Sequence, residues 1–578
     1  MWKVILLYLV TTAFASSYKI STKKSGSWWN NIVLYQIFPR SFKDSNGDGI
    51  GDLNGITSKL QYIKEFADAI WLSPIYPSPQ NDFGYDISDF MDVHYEYGTL
   101  KDFDELVLKA KSLDLKVLLD FVPNHSSDQH EWFKKSIKRI NPYTKYYVWQ
   151  DGKKLPNGTR VPPNNWLSMF GGSAWEWNEE RGQYYYHQFL KSQPDLNYNN
   201  PKLQIEMEKV INFWLKRGVD GFRVDAVSHL YEDPLLKDEP RSKESVPPDD
   251  YLYLVHNHTR DLDETYSIVN TWKELMDEYS KYHDRIEKLG FMEVGGNDFS
   301  KTMKFYSVGV DPMNFAFITD LKNDSTVADF KKIIDRWMSS MPLNKIANWI
   351  VGNHDVARVA SRFGSNGNRP DQFSMLSAIL PGMTVLYNGD EIGMINSVFT
   401  YEETIDPAGC NAGPDRYQLK SRDPQRTPYQ WDDSVSAGFS TNSKTWLPVN
   451  DNYKTLNLAQ QKKLQVSHYK IVKALSDLKR KSPVLIKGDT RVYNVLDKVL
   501  VVVRRLSNYD PIVILINFTD EDLEIDGTLS IGNHSKKMLV YVASMNSDLE
   551  SGQVVQMKKI YVPKASTVVL TSTRDMFS

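Results

Sequence analysis

The chain has 578 residues, which is enough for a barrel-sized catalytic domain of roughly 200 to 400 residues with one or two smaller modules. Its 69 basic and 72 acidic residues leave a formal net charge of −3, and no long basic run with interleaved aromatic residues could follow a phosphate backbone. Nucleic acid is therefore not an expected partner, and the composition, with 12% aromatic residues, is that of an ordinary globular protein.

Residues 1–15 have the pattern of a secretory signal peptide. Lys3 supplies the basic end, Val4–Val10 the apolar stretch and Ala13-Phe14-Ala15 the small-residue cleavage site. The apolar run is too short for a bilayer, which needs roughly 20 residues. We expect a secreted, extracellular protein that starts near Ser16 and has no membrane span.

Short apolar runs alternate with segments of helical period along most of the chain. Eight such β–α steps predict an α/β fold of the (β/α)8 TIM-barrel class. In such barrels the functional residues follow the carboxyl ends of the strands. The predicted strands are Ile32–Phe38, Asp68–Leu72, Lys116–Val122, Val219–Val224, Leu289–Val294, Phe315–Ile318, Ala347–Val351 and Met383–Tyr387.

Two departures from this alternation predict further domains. Residues 126–198 are rich in Trp, Asn, Gly and Tyr, and a structureless loop of that length would be unusual, so we expect an insertion subdomain after the third strand. From about residue 481 to residue 578 the pattern is that of alternating strands, which predicts a C-terminal β-sandwich domain. The barrel then occupies 16–125 and 199–480, with an irregular stretch at 395–447.

A loop after the first strand has oxygen-bearing residues at alternate positions, which is the spacing of an EF-hand calcium loop. The twelfth position is Gly55 instead of glutamate, and a barrel helix begins at Leu53, so the loop is not a paired EF-hand. We expect a structural Ca²⁺ there, with a metal-free turn as the alternative. The expected ligands are Asp44, Asn46, Asp48, the carbonyl of Ile50, and Asp52.

Four short motifs, each closing an apolar run, contain the residues suited to acid–base chemistry. They are Asp120-Phe121-Val122-Pro123-Asn124-His125, Gly221-Phe222-Arg223-Val224-Asp225, Phe291-Met292-Glu293-Val294 and Asn353-His354-Asp355. A single carboxylate at a strand end is more often part of a structural ion pair. Several of them meeting at one rim of a barrel indicate an active site instead.

Cys410 is the only cysteine, so internal disulfides are excluded, and a free thiol or an intermolecular bridge remains. Acceptor triplets for N-glycosylation fit the secretory route. We expect Asn124 to be bare, because it lies inside a strand-end motif. The predicted glycosylation sites are Asn157, Asn257, Asn323, Asn517 and Asn533.

The four motifs, together with Gln193-Pro194-Asp195-Leu196-Asn197, resemble those of the α-amylase superfamily. Within it the chain is most similar to the α-glucosidase and oligo-1,6-glucosidase branch, which includes secreted insect maltases. The resemblance covers nearly the whole mature chain. It also extends to the predicted calcium loop, which is similar to the one in that branch.

The resemblance implies Asp225 as the nucleophile, Glu293 as the general acid and base, and Asp355 as the transition-state stabiliser. A retaining glycosidase needs two carboxyl groups about 5 Å apart, one to attack the anomeric carbon and one to protonate the leaving group. Arg223, two residues before Asp225, is expected to lower the pKa of that carboxyl and keep it ionised.

The resemblance also implies the residues that bind the terminal sugar. His125 and His354 would donate hydrogen bonds to its hydroxyl groups. Asp82 and Tyr85 would form the end of the pocket, with Asp82 paired to Arg426. A pocket closed in this way would admit one sugar unit, so we expect exo-cleavage of single α-glucosyl units.

Substrate preference is expected to depend on Ala226, directly after the nucleophile. In the resembling branch, enzymes for α-1,6 bonds tend to carry valine there, whereas enzymes for α-1,4 bonds carry a smaller or polar residue. The expected substrates are small α-glucosides, namely maltose, short malto-oligosaccharides and sucrose, with glucosyl transfer left open. Ser228 and Met292 depart from the usual proline and threonine of the branch.

Two other functions are compatible with parts of this pattern. A catalytically inactive relative, such as a transporter subunit or a receptor, typically lacks at least one catalytic carboxylate, whereas Asp225, Glu293 and Asp355 are all present. An endo-amylase would need a cleft open at both ends, which the expected Asp82 pocket end argues against. The oligomeric state stays open.

Overall fold

The computed structural model describes residues 5–6, 16–18, 27–295, 298–363, 369–528 and 537–572. Eight parallel strands form its central sheet: β1 (Val33–Ile37), β2 (Ala69–Leu72), β3 (Lys116–Phe121), β4 (Gly221–Val224), β5 (Leu289–Met292), β6 (Asp311–Pro312), β7 (Asn348–Ile350) and β8 (Met383–Tyr387). Their order in the sheet is β6-β5-β4-β3-β2-β1-β8-β7, so the predicted α/β barrel is confirmed.

A side chain closes the barrel between β6 and β7, which stand at the two ends of this order. Oδ1 of Asn348 accepts a hydrogen bond from the backbone N–H of Asn314 at 2.8 Å. Nδ2 of Asn348 donates to the carbonyl oxygen of Pro312, also at 2.8 Å. The fully buried amide of Asn348 therefore takes the place of a backbone ladder at this seam.

One principal helix follows each strand of the barrel. Several of these helices begin at a polar capping residue. Asp52 caps the first helix by accepting from the N–H of Gly55, and Thr99 and Asp102 form a capping box on the second. Caps of this kind stabilise a helix by about 1 kcal/mol. The eight helices are Leu53–Lys64, Leu100–Ser112, Pro201–Lys216, Asp263–Tyr279, Phe299–Lys304, Val327–Ser340, Arg369–Ile379 and His468–Lys481.

The prediction for the sixth strand was wrong. Phe315–Ile318, predicted as a strand, mostly lies in a short helix, Ala316–Thr319, and β6 comes just before it. Oδ1 of Asn314 accepts a hydrogen bond from the N–H of Ala316. Such a local side-chain bond starts a helical turn and competes with the strand ladder.

Apolar side chains fill the barrel interior, and a second, larger core lies between the strands and the outer helices. The interior set is led by Leu34, Trp71, Leu118, Phe291, Ile350 and Val385. Among the residues that the model describes, no helix is both long enough and apolar enough to cross a bilayer.

The insertion after β3 and the region after the last barrel helix are rich in strands. The insertion contains Glu131–Ile137 as a helix and the strands Trp149–Gln150, Lys153–Lys154, Arg160–Val161, Trp175–Asn178 and Gln183–Tyr186. A seven-stranded sheet at the C-terminal end contains Ser16–Tyr18, Asp489–Val495, Val499–Arg505, Ile512–Asn517, Thr567–Thr571, Lys537–Ala543 and Val554–Gln556. A smaller sheet contains Ile5–Leu6, Leu523–Ile525 and Ile560–Val562, and the side chains of Leu523 and Ile560 share a core with those of the larger sheet.

In the part of the chain that the structure describes, five further short α-helices lie in the remaining connections: Val359–Arg362, Pro407–Ala412, Tyr417–Lys420, Leu458–Lys463 and Pro483–Lys487. Two of them, Pro407–Ala412 and Tyr417–Lys420, lie in the stretch 395–447 that was predicted to be irregular. This stretch contributes to the wall of the pocket described below.

Candidate functional site

A cavity of about 370 Å³ opens at the carboxyl ends of the barrel strands, within the size range of small-molecule sites. The predicted residues that line it are Asp82, Tyr85, His125, Asp225, Ala226, Glu293, His354 and Asp355. Residues between positions 82 and 355 of the sequence therefore meet around one space.

Arg223, the third residue of β4, binds three carboxylates at once. Its Nη1 donates to Oδ1 of Asp120 and Oδ1 of Asp225, both at 2.6 Å, and its Nη2 lies 2.7 Å from Oε1 of Glu293. Because adjacent nitrogens of one planar group bind Asp225 and Glu293, the two carboxyl groups lie side by side. This arrangement fits a retaining pair, with a spacing of about 5 Å, better than the wider inverting pair.

The electrostatics of this group differ from the expectation for Asp225. Burial raises the pKa of Asp225 well above its usual range, and the charges of Glu293 and Asp120 raise it further, while Arg223 opposes the rise. Burial also raises the pKa of Asp120 to about 6. Arg223 thus lowers the pKa of Asp225 as expected, but one guanidinium is shared by three carboxylates and does not outweigh burial.

Ala226 holds the other side of Glu293. It has φ 47° and ψ 31°, in the left-handed region, and its backbone N–H donates to Oε2 of Glu293 at 2.9 Å. Left-handed conformations cost free energy for a residue with a Cβ atom. Both oxygens of Glu293 therefore have a fixed donor, Arg223 on one side and Ala226 on the other.

His354 is a neutral donor held between two aromatic rings. Its ring stacks on Tyr85 at 5.3 Å and on Phe38 at 5.6 Å, and burial lowers its pKa well below the usual range. Its Nε2 lies 3.2 Å from a carboxylate oxygen of Asp355, so Nε2 carries the proton. Nδ1 then accepts from the side-chain amide of Gln36 at 2.8 Å.

Asp82 pairs with Arg422, so the predicted pairing with Arg426 was wrong. Nη2 of Arg422 lies 2.7 Å from Oδ1 of Asp82 and also binds the buried Asp406. Arg426 is fully buried, and its Nε and Nη2 donate to the carbonyl oxygen of His354 and to Asp355. The hydrogen-bond donors of Arg426 are thus used by His354 and Asp355. Arg422 is the arginine that pairs with Asp82 at the end of the pocket.

Asp355 is surrounded by cationic and polar donors. Burial in the pocket would raise its pKa, but His354, Arg426 and Arg422 outweigh that effect and hold the pKa well below its usual range. Its Oδ1 lies 2.9 Å from Arg426 and 3.5 Å from Arg422. Asp355 therefore carries a negative charge in the pocket that Asp225 and Glu293 also line.

The insertion contacts the motif that follows β3 behind the ring of His125. Burial lowers the pKa of His125 to about 3, so the ring is neutral at physiological pH. Nε2 of Gln193 lies 3.1 Å from Oδ2 of Asp82 and 3.2 Å from His125. The amide of Asn124 donates to Asp195 at 2.8 Å, which fixes the end of the insertion to the barrel.

Comparison with known proteins identifies the family. The family model for the α-amylase catalytic domain matches residues 36–488. The chain belongs to the α-amylase family. It is 48% identical to the α-glucosidase of Apis mellifera, with 90% of each chain covered. It is 47% identical to maltase 1 of Drosophila virilis, with 90% of this chain and 83% of that protein covered.

A solved structure supports the assignment at the level of the fold. The crystal structure of the α-glucosyl transfer enzyme XgtA superposes on this α-amylase-family chain with a TM-score of 0.82 at 33% sequence identity. The match covers 95% of this chain and all of that one. The resemblance inferred from the motifs is thereby confirmed.

Several pocket residues of the α-amylase-family chain had not been predicted as site residues. Arg422 lies in the stretch 395–447 that was predicted to be irregular, four residues before Arg426. Phe170 and Phe189 come from the insertion, and Arg260 from the segment after β4. No local pattern marked these three, because their positions depend on how long connections fold back over the barrel.

The predicted glycosylation sites fall into three groups. Asn157, Asn257 and Asn323 are exposed, whereas Asn533 lies outside the described residues. Asn517 is fully buried, and its Nδ2 donates to the carbonyl oxygens of Glu521, Val562 and Pro563. The prediction for Asn517 was wrong, because its amide has no access to solvent. Asn124, expected to be bare, is buried as well.

The predicted calcium loop consists of successive turns. Oδ1 of Asp44 accepts from the N–H of Asn46, Oδ1 of Asn46 from that of Asp48, and Oδ1 of Asp48 from that of Ile50. Asp52 accepts from Ser45 and caps the first helix. The ligand atoms that the loop offers are all oxygen, which suits Ca²⁺. Among the described residues, no three acidic, histidine or cysteine side chains form a metal-binding cluster.

Proposed function

We propose that this α-amylase-family protein is a retaining, exo-acting α-glucosidase that hydrolyses terminal α-1,4-linked glucose from maltose and short malto-oligosaccharides, and the α-glucosidic bond of sucrose. The observation that carries the proposal is the closed pocket end, where Asp82 and Arg422 pair beside the clamp of Arg223 on Asp225 and Glu293. A polysaccharide chain cannot run through a pocket closed on that side, so cleavage is confined to a chain end.

The geometry assigns the two half-reactions. A carboxylate oxygen of Asp225 attacks the anomeric carbon while Glu293 gives its proton to the departing glycosidic oxygen, which leaves a glucosyl ester on Asp225. Glu293, now ionised, takes a proton from water as the water oxygen attacks the anomeric carbon and the ester bond breaks. Asp355 stabilises the positive charge on the sugar ring in both transition states.

Glucosyl transfer follows if a sugar hydroxyl replaces water in the second step. The similarity to XgtA, named as an α-glucosyl transfer enzyme, supports this extension. Phe170 and Phe189 supply apolar surface at the pocket wall, on which a sugar acceptor can compete with water.

Glucose release from maltose, sucrose, isomaltose and soluble starch tests the proposal, with Asp225→Asn as the inactive control. We expect rapid release from maltose and sucrose, slow release from isomaltose, and only glucose from starch. Release of internal oligosaccharides from starch would overturn the exo-acting assignment, and no release from any substrate would overturn the enzymatic one.

Azide rescue assigns the two carboxylates separately. With 4-nitrophenyl α-glucoside, azide should restore activity to Asp225→Gly by attack from the face that Asp225 occupies, giving β-glucosyl azide. In Glu293→Ala, azide should attack the glucosyl ester from the opposite face and give α-glucosyl azide. The opposite pairing of variant and product would reverse the roles of Asp225 and Glu293.

Two further proposals concern the environment of the enzyme. The signal-peptide pattern of residues 1–15 and the exposed acceptor triplets at Asn157, Asn257 and Asn323 support secretion as a glycoprotein.

The oxygen donors of the 44–52 loop support a structural Ca²⁺ held by Asp44, Asn46, Asp48, Ile50 and Asp52. The ion would fix the connection between β1 and its helix and takes no part in the reaction.

A further inference from the structure

The loop that closes the pocket is held in an unfavourable backbone conformation. Gln80 has φ 65°, Phe83 φ 46° and Gly84 φ 105°, within a segment that brings Asp82 and Tyr85 to the pocket. Residues with a Cβ atom keep such conformations only where the surrounding structure fixes them. A fixing group must therefore lie close to this loop.

Asp86, at the end of the loop, is that group. Its side chain is fully buried. Oδ1 accepts hydrogen bonds from the N–H of Asp82 at 3.0 Å and from Oγ of Ser78 at 2.8 Å. Oδ2 accepts from the N–H of Asn81 at 2.9 Å. Burial raises the pKa of Asp86 to about 6, while these hydrogen bonds oppose the rise, so Asp86 is largely ionised at neutral pH.

We propose that Asp86 is a positioning residue that sets the affinity of the pocket for a terminal glucosyl unit. It does not line the cavity itself. It acts through Asp82, whose carboxylate binds Arg422 and Gln193, and through Tyr85, whose ring stacks on His354. This inference rests on the proposed α-glucosidase function, because that function supplies the occupant of the pocket.

The hydrogen-bond pattern explains why a carboxylate is needed. Both oxygens of Asp86 accept, and the donors approach from both sides. Asparagine has the same size but only one oxygen, so in either orientation its NH₂ group faces a backbone N–H of the loop. A buried N–H that loses its acceptor shifts the loop, and with it Asp82.

The test compares Asp86→Asn, Ser78→Ala and the exposed neighbour Asp89→Asn with the wild type. The readouts are KM and kcat for 4-nitrophenyl α-glucoside, the inhibition constant of 1-deoxynojirimycin, a glucose-shaped amine, and the melting temperature. We expect Asp86→Asn to raise KM and the inhibition constant about tenfold, with kcat changed by less than about threefold. Ser78→Ala should give a shift of about threefold in the same direction, and Asp89→Asn none.

A purely structural role would lower the melting temperature of Asp86→Asn and leave KM and the inhibition constant unchanged, which would overturn the inference. If Asp86→Asn does not fold, unchanged constants in Ser78→Ala would overturn it equally. The wild type is measured first. Absence of glucosidase activity there would contradict the proposed function, whereas an active wild type with unaffected variants contradicts only the role of Asp86.

Discussion

The backbone N–H of Ala226 binds Oε2 of Glu293 across 2.9 Å. The residue after the predicted nucleophile therefore positions the predicted acid and base. This N–H points toward Glu293 only because Ala226 adopts a left-handed conformation, with φ 47°. The side chain at position 226 thus affects both the shape of the pocket and the backbone that holds Glu293.

Substitution of Ala226 by valine should change bond preference and stability together. A β-branched residue is strongly disfavoured at positive φ, so we expect Ala226→Val to lose about 1–2 kcal/mol of unfolding free energy. We also expect the kcat/KM ratio of isomaltose to maltose to rise. Ala226→Gly tolerates the same φ and is the control for backbone strain. An unchanged substrate ratio in Ala226→Val would contradict a specificity role.

The pairing of Asp82 with Arg422 instead of Arg426 can be measured by double-mutant cycles. We expect Asp82→Asn and Arg422→Gln to be coupled by about 1–3 kcal/mol in unfolding free energy, because each removes the partner of a buried charge. Asp82→Asn and Arg426→Gln should be coupled by less than about 0.5 kcal/mol. Stronger coupling in the second cycle would restore the pairing expected from the sequence.

His468 should make stability fall at alkaline pH. Burial would lower the pKa of His468, but the ion pair with Asp371 outweighs burial and raises it. Asp371 also accepts from the N–H of Met545, so the pair joins the last barrel helix to the C-terminal region. A raised pKa contributes stability that is present below the unfolded value of about 6.5 and is lost as the pH rises through the folded value.

Urea midpoints at about pH 6 and about pH 9 measure this contribution. We expect the wild type to lose more stability over that interval than His468→Gln. His283→Gln, at an exposed position, is the matched control and should behave like the wild type. Equal losses in all three proteins would show that the pair with Asp371 does not stabilise the fold.

Calcium should stabilise the protein if the 44–52 loop binds it. At 100 times the dissociation constant, a bound ligand adds about 2.7 kcal/mol to the unfolding free energy. We therefore expect a chelator to lower the melting temperature of the wild type and added Ca²⁺ to restore it. Asp48→Ala should abolish the response. If neither the chelator nor added Ca²⁺ changes the melting temperature of the wild type, the result would favour the metal-free turn.

The strand ends and their carboxylates could be predicted because each motif is local. A buried apolar run followed by a polar residue marks the position of Asp225 or Glu293 without knowledge of the remaining fold. The sixth strand was missed because β6 spans only Asp311–Pro312, too short for a periodic signal. A local bond from Asn314 then turned the following apolar run into a helix.

The sequence alone could not predict which distant side chains pair with each other. Arg422 and Arg426 lie four residues apart in one irregular stretch, and only the path of the backbone decides which of them meets Asp82. The same holds for the charge balance around Asp225, because the sequence placed Arg223 beside one carboxylate and the fold placed it beside three.

The side-chain closure between β6 and β7 has a consequence for the reaction geometry. Asp355 follows β7, whereas Asp225 and Glu293 follow β4 and β5, on the other side of the seam. The amide of Asn348 supplies two hydrogen bonds across that seam. Asn348 therefore ties the strand that precedes Asp355 to the part of the barrel that carries Glu293, so the two edges of the pocket on this side depend on a buried amide that does not line the cavity.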